Sequence, residues 1–158
     1  MATRSMIAMK VDNQYRAVYC HYDGYPSHQM PILQQNYLNP DKVKELIDLG
    51  SLSILASEIG QEHNFDTHDS TKSDWCLAYH RDRGETLQIS TTRDLKTLVR
   101  LAKECGAEYL YIYKQGYWEC RNLYITQDDV SLDEISKSYK KEIAMSVMRE
   151  AMEETAVS

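Results

Sequence analysis

The sequence contains a single phenylalanine, six glycines and three prolines among 158 residues. So few glycines leave no Gly-rich loop of the kind that cradles phosphates. No run of about 18 apolar residues occurs, so no transmembrane helix is predicted. The first residues also lack the apolar stretch of a signal peptide. We therefore expect one domain spanning residues 1–158, located in the cytoplasm.

Familiar motifs of catalytic and metal sites are also missing. The four cysteines include no CxxC pair, which argues against a zinc ribbon and predicts reduced thiols. No P-loop, HExxH or nucleophile elbow is present. His63, Asp66, His68 and Asp69 could bind a metal, but they occur in a polar stretch that predicts a solvated loop. No metal or cofactor is therefore expected.

Charge and aromatic usage narrow the classes of partner. A net charge of −6 disfavours a broad surface for nucleic acid but permits binding to basic surfaces of other proteins. Twelve tyrosines stand against one phenylalanine. Because a buried tyrosine hydroxyl needs a partner, this bias indicates either half-exposed sheet faces or a binding surface.

Alternating apolar residues predict the strands. Residues 4–11 and 14–21 predict a hairpin around Asp12-Asn13, and residues 108–113 and 117–123 predict a second hairpin. Two further strand-like segments, 75–79 and 86–90, are joined by residues 81–85.

Periodic apolar residues and capping signals predict the helices. They cover residues 28–38, a segment capped by Asn39 and opened by Pro40, residues 51–59, and a segment from Thr91 or Thr92 to Cys105. A capping box at 131–134 opens a long C-terminal helix reaching Met152, which could pack on the sheet, bind a partner or form a homodimer. The predicted fold class is α+β, an antiparallel sheet built from β-hairpins with helices packed on it.

Two polar segments stand out as a candidate site. The first cluster, residues 20–26, reads CHYDGYP, and the second cluster, residues 79–85, reads YHRDRGE. In an extended chain His21 and Asp23 would share a face, as would Arg81 and Arg83. Two guanidinium groups suit phosphate or carboxylate. If the fold joins the clusters, the candidate pocket consists of His21, Asp23, Tyr25, His80, Arg81, Asp82, Arg83 and Glu85.

Plain structural roles compete with that hypothesis. The first cluster could be a turn at Asp23-Gly24 with aromatic packing around it. In the second cluster, Asp82 and Glu85 could neutralise the arginines in an exposed ion-pair network at a hairpin tip. Cys20 is poorly placed for activation by His21, since neighbours on a strand face apart.

The two clusters, together with residues 49–53 (LGSLS), resemble three landmarks of a family of small proteins carried by bacteriophages and other mobile elements. The resemblance covers roughly the first ninety residues, in the same order and spacing. It implies a phage or mobile-element setting in a bacterial host cytoplasm, and it implies no particular activity.

Two classes of function follow. The first is an accessory protein that binds a host protein, such as a defence or nucleic-acid enzyme, or that sequesters a small nucleotide. The alternative is an enzyme acting on a phosphorylated or nucleotide substrate, with His21 and His80 as an acid–base pair. Neither direct nucleic-acid binding nor membrane association is expected.

Overall fold

The structure, a computed structural model, describes residues 2–67 and 74–125. These residues form one sheet of seven strands together with four helices. The strands are β1 Ser5–Val11, β2 Gln14–Cys20, β3 Leu52–Ile54, β4 Leu77–Ala78, β5 Ser90–Thr92, β6 Tyr109–Lys114 and β7 Tyr117–Asn122. The helices are α1 Pro26–Asn36, α2 Pro40–Asp48, α3 Tyr79–Arg83 and α4 Leu95–Glu104.

The sheet is mixed, so the predicted antiparallel sheet is wrong. Its strand order is β4-β3-β2-β1-β6-β7, with β5 also paired to β2. The two predicted hairpins, β1–β2 and β6–β7, are confirmed, but they join through a parallel pairing of β1 with β6. A second parallel pairing links β2 to β3. Alternation within a strand reports which face is buried and carries no signal for which distant strand lies beside it.

Helices cover both faces of the sheet. Ile7 and Met9 point to one side, the α1 face, where they pack with residues of α1 and α2. Met6 and Ala8 alternate with them and point to the α4 face, where they pack with Leu98 and its neighbours in α4. The sheet therefore has two apolar cores, one on each side.

The helix predictions have mixed outcomes. The cap on α2 is confirmed, since the Asn39 side chain accepts a hydrogen bond from the Asp41 N–H, 2.8 Å away, and Pro40 opens the helix. Helix α1 begins at Pro26, so Pro31 lies inside it and not in its first turn. Helix α4 begins later than predicted and is capped by Asp94.

Two segments have a different secondary structure from the one predicted. The expected helix over 51–59 is instead β3 and an irregular segment, because fully buried Leu52 pairs with Cys20 in the sheet. The expected extended connection at 81–85 begins as helix α3, which Gly84 ends in a left-handed conformation at φ 74°. Short apolar runs fit either period, and pairing in the sheet decided between them.

Several predictions fall on other parts of the chain. The C-terminal helix to Met152, with its possible dimer contact, lies outside the described residues, as do His68 and Asp69. Within residues 2–67 and 74–125 no helix has the length and apolar character needed to cross a membrane. In the same two ranges no three His, Cys, Asp or Glu side chains are grouped as a metal site.

Candidate functional site: a cleft beside the two polar clusters

The two polar clusters are neighbours, separated only by the three-residue strand β3. The first cluster continues from β2, and the His21 N–H donates to the Leu52 carbonyl oxygen, 2.9 Å away. The second cluster continues from β4, and the Tyr79 N–H donates to the Ser51 carbonyl oxygen at 3.2 Å. Strand β3 thus fixes both clusters at one side of the sheet.

A cleft of about 480 Å³ opens beside this strand. It lies on the α4 face, because Tyr19 alternates with Val18 and Cys20, which point into the core on the α1 face. The end of β2, Ser51 just before β3 and the start of α3 provide its floor, and residues 84–88 provide a wall. The lining residues are Tyr19, Ser51, Tyr79, Gly84, Glu85, Thr86 and Gln88.

Tyr19 connects the cleft to the first cluster. Its hydroxyl lies 2.6 Å from Nδ1 of His21, and the His21 ring packs edge-on against Tyr22 with centroids 4.5 Å apart. Burial raises the pKa of Tyr19, while the nearby positive charge of Arg4 acts in the opposite direction. The phenol therefore stays protonated at neutral pH and can share hydrogen bonds with His21 and with a ligand.

Tyr79 connects the cleft to the second cluster. Its ring stacks on Phe65 at 5.4 Å between centroids, and the Arg83 guanidinium lies over both rings, 4.4 Å from Phe65 and 5.0 Å from Tyr79. Burial raises the pKa of Tyr79 despite a hydrogen bond with Ser53. Arg83 also pairs with Glu85, so the aromatic stack and the carboxylate at the cleft wall hold each other in place.

Arg81 and Asp82 face away from the cleft and serve the fold. The Arg81 guanidinium donates to the carbonyl oxygens of Ile59 and Cys76, both at 2.8 Å, and to both oxygens of Asp82. The Asp82 side chain is fully buried. Burial alone would raise its pKa, but hydrogen bonds from Arg81 and from the backbone N–H groups of Ala78 and His63 lower it. Since 79–83 is helical, Arg81 and Arg83 do not share a face, contrary to the extended geometry expected.

The other predicted residues surround the cleft without lining it. His80 is exposed, and its Nδ1 lies 2.7 Å from the Glu85 carbonyl oxygen. Asp23 is exposed in a left-handed conformation at φ 56°, and Tyr25 precedes α1 with its ring against His28. Among the described residues no hydrogen bond or ion pair joins His21 or Asp23 to the second cluster. Of the eight predicted pocket residues, Glu85 lines the cleft, and the other seven do not.

Sequence reasoning missed most of the cleft lining. Tyr19 could have been found, because it lies two positions before His21 and therefore on the same face of β2. Ser51 falls within the LGSLS landmark. Because a helix was predicted there, its position next to a strand of the sheet was not expected. Thr86 and Gln88 belong to a loop whose path no local pattern specifies.

The buried thiols are poor nucleophiles. Burial raises the pKa of Cys20 to about 12, although Gln29 Nε2 lies 3.1 Å from its sulfur. Burial likewise raises the pKa of Cys76. Because the thiolate is the reactive form, neither sulfur is activated at neutral pH.

Protein-family models, curated proteins and solved structures give no match to this chain.

Proposed function

We propose that this chain is a binding protein that holds a small nucleotide in the cleft beside β3. The observation that carries the proposal is the convergence of two tyrosines, a carboxylate, an amide and two hydroxyl side chains on one opening of about 480 Å³. That size is within the range of small-molecule sites. The cleft lies between the two segments that the sequence singles out.

The lining suits the base and the sugar of a nucleotide. Aromatic rings such as that of Tyr19 stack on nucleobases, each stacked base contributing roughly 1–3 kcal/mol. A carboxylate such as Glu85 accepts hydrogen bonds from ribose hydroxyls. The Gln88 amide can both donate and accept at a base edge.

Two exposed cations lie near the two tyrosines of the cleft and suit a phosphate. Arg4 lies close enough to Tyr19 that its charge acts on the pKa of that phenol. Arg83 covers Tyr79 on the other side. Guanidinium groups bind phosphate oxygens in pairs of hydrogen bonds, so either arginine could hold the charged end of the ligand.

Binding is favoured over catalysis by the state of the two histidines. His21 shares its Nδ1 with Tyr19, and His80 shares its Nδ1 with the Glu85 carbonyl oxygen. An acid–base pair acting on one substrate needs both groups within hydrogen-bond reach of the reacting atoms. Because His80 does not line the cleft, the alternative of an enzyme using both histidines has less support.

The phage or mobile-element setting implied by the sequence resemblance is consistent with a nucleotide-binding protein of this kind. Sequestration of a nucleotide signal in the host cytoplasm needs affinity without turnover. Occupation of a host enzyme by the acidic surface is the competing possibility, and it needs no small-molecule site.

Calorimetric titration with a panel of ribonucleotides and their deoxy counterparts tests the proposal. Glu85→Gln removes the carboxylate from the wall, and we expect at least about tenfold weaker ribonucleotide binding, equivalent to about 1.4 kcal/mol. The melting temperature should change little, because the lost ion pair with Arg83 is exposed. Glu45→Gln, on the exposed side of α2, is the matched control and should bind normally.

Two outcomes would reject the nucleotide site. One is the absence of binding to any nucleotide in the panel, which would favour a host protein as the partner. The other is equal affinity of the wild type and Glu85→Gln.

A further inference from the structure

Arg4 is an exposed cation just before β1, on the side of the sheet that carries the cleft. Among the residues that the structure describes, its guanidinium forms no hydrogen bond and no ion pair. Arg83, the other cation near the cleft, already pairs with Glu85 and lies over two aromatic rings. Arg4 is therefore the guanidinium that a ligand can engage without displacing a contact of the fold.

Strand register places Arg4 next to Tyr19, which lines the cleft. The Ser5 hydroxyl donates to the Gln29 side-chain oxygen in α1, 2.7 Å away, so Ser5 points to the α1 face and its two neighbours point to the α4 face. One of these neighbours, Met6, pairs with Tyr19 across the β1–β2 ladder. Arg4 is then the diagonal neighbour of Tyr19, roughly 7–8 Å away in a regular strand pair and within reach of a long side chain.

The backbone around Arg4 is fixed by hydrogen bonds on two sides. The Glu108 N–H donates to the Arg4 carbonyl oxygen at 2.8 Å, and the Gly24 N–H donates to the Thr3 carbonyl oxygen at 2.8 Å. The guanidinium is consequently presented from a rigid base, which lowers the entropic cost of binding a ligand.

The C-terminal end of α4 leaves room for the Arg4 side chain. A Cβ built on Gly106 would lie 2.9 Å from Nη1, 3.6 Å from Cδ and 3.9 Å from Cζ of Arg4, which are its three nearest neighbours outside the adjoining chain. A cation is also favoured there, because this end of a helix carries partial negative charge. Burial is the main cause of the raised pKa of Tyr19, and Arg4 and Cys105 also act on it, so this end of α4 lies near the phenol.

The charges around the cleft limit how much negative charge a ligand can bring. Glu85 at the wall is a carboxylate, and Arg83 is paired with it. Typical triphosphate sites surround the ligand with a glycine-rich run of backbone N–H donors and a lysine. The lining residues, all in the described part of the chain, include one glycine and no lysine. One free guanidinium matches one phosphate group.

We propose that Arg4 binds the phosphate of a ribonucleoside monophosphate and that Gly106, by lacking a side chain, positions Arg4 to do so. This inference rests on the nucleotide site proposed above and adds the class of nucleotide. It leaves Tyr19 for the base and Glu85 for the ribose.

Calorimetric titration with the four common ribonucleosides, their 5′-monophosphates and their triphosphates tests the proposal. We expect the wild type to bind a monophosphate at least about tenfold tighter than the matching nucleoside, and to bind the triphosphate no tighter than the monophosphate. Arg4→Gln should lower the affinity for the monophosphate to that for the nucleoside, whose own binding stays unchanged. Arg93→Gln, at an exposed arginine before α4, is the matched control and should bind like the wild type.

Gly106→Ala tests the positioning role without removing the charge. Gly116→Ala is its control, because Gly116 also has a left-handed backbone, φ 86° against 78°, and a Cβ there would meet nothing within 4 Å. Both variants should lose similar thermal stability from backbone strain. Gly106→Ala alone should weaken monophosphate binding, by about threefold or more, because it displaces the Arg4 guanidinium.

Other results would overturn the inference and leave the cleft as a binding site. These are equal affinity of the wild type for a nucleoside and its monophosphate, tighter binding of triphosphates, or a monophosphate preference that survives Arg4→Gln. If Arg83→Gln abolishes that preference instead, the phosphate belongs to Arg83. Unchanged monophosphate affinity in Gly106→Ala would remove the positioning role. Absence of binding to every compound in the series would reject the nucleotide site and this inference together.

Discussion

Three buried tyrosines in the core use their hydroxyl groups to satisfy backbone carbonyl groups. Tyr37, Tyr111 and Tyr113 each donate a hydrogen bond to a backbone carbonyl oxygen at 2.6 Å, those of Ala56, Gly24 and Leu38 respectively. All three rings belong to the core on the α1 face. Their hydroxyls satisfy carbonyl groups in loops and at a helix end, which a phenylalanine ring would leave without a partner.

Identical residue types have different roles two positions apart in α3. Arg81 is bound on all sides by Asp82 and by two carbonyl groups, whereas Arg83 lies in the open against aromatic rings and Glu85. Composition alone cannot distinguish the two arginines. The helical path of residues 79–83 does so, by turning one inward and the other outward.

We expect Arg81→Gln to lower the free energy of unfolding by about 3 kcal/mol, because it leaves the buried Asp82 carboxylate without its cation. Arg83→Gln makes the same chemical change at the exposed site and should cost about 1 kcal/mol or less. Urea denaturation of both variants measures the difference. Equal costs would show that the inward ion pair is not a structural support.

At the scale of elements, the second cluster depends on its neighbours. A helix of five residues such as α3 is not stable by itself in water. It is held by the Asp82 carboxylate, which accepts hydrogen bonds from Ala78 and from the loop at His63. The loop approaches closely because Gly60 has no side chain: a Cβ there would lie 2.5 Å from Cγ of Trp75.

Comparing Gly60→Ala with Gly84→Ala distinguishes the cost of steric overlap from the cost of backbone strain. Both glycines have φ 74°, but a Cβ at Gly84 would meet nothing within 4 Å. We expect Gly84→Ala to cost about 1–2 kcal/mol from the left-handed backbone alone. Gly60→Ala should cost a further 1–3 kcal/mol from overpacking against Trp75. Thermal or urea unfolding measures both, and equal losses would mean that the Trp75 ring yields freely.

At the scale of the whole molecule, the central feature is the parallel pairing of β1 with β6. Strand β1 is paired on both sides, to β2 over Ser5–Val11 and to β6 over Ser5–Met9. The short strands β4 and β5 have two and three residues. Stability should therefore decline from the centre of the sheet toward the region that carries the cleft.

Native-state hydrogen exchange tests this gradient. Amides of β1 and β6 should exchange slowest, near the rate set by global unfolding, and those of β4 and β5 should exchange by local opening. Protection of β4 and β5 equal to that of β1 would indicate that the cleft region unfolds together with the core.

The sequence predicted what is local and failed on what is distant. Both hairpins and the capped α2 follow from turn residues and caps such as Asn39. The parallel pairings β1–β6 and β2–β3 join segments that no local sequence pattern connects. The predicted sheet type was therefore wrong. The two polar clusters were identified from their residue types. Ser51, Thr86 and Gln88 line the cleft because of the sheet topology, which was not predicted.

The β1–β6 pairing also affects the protein while it is being made. Strand β1 leaves the ribosome with its hairpin partner, but the strand that covers its other edge begins only at Tyr109. At a translation rate of 5–20 residues per second, that edge stays unpaired for on the order of 5–20 s before β6 is synthesised. During this interval the backbone of Ser5–Met9, which later pairs with β6, is an open strand edge that a second nascent chain could pair with. Dense polysomes would therefore favour aggregation, and slower initiation of translation should increase the yield of folded protein.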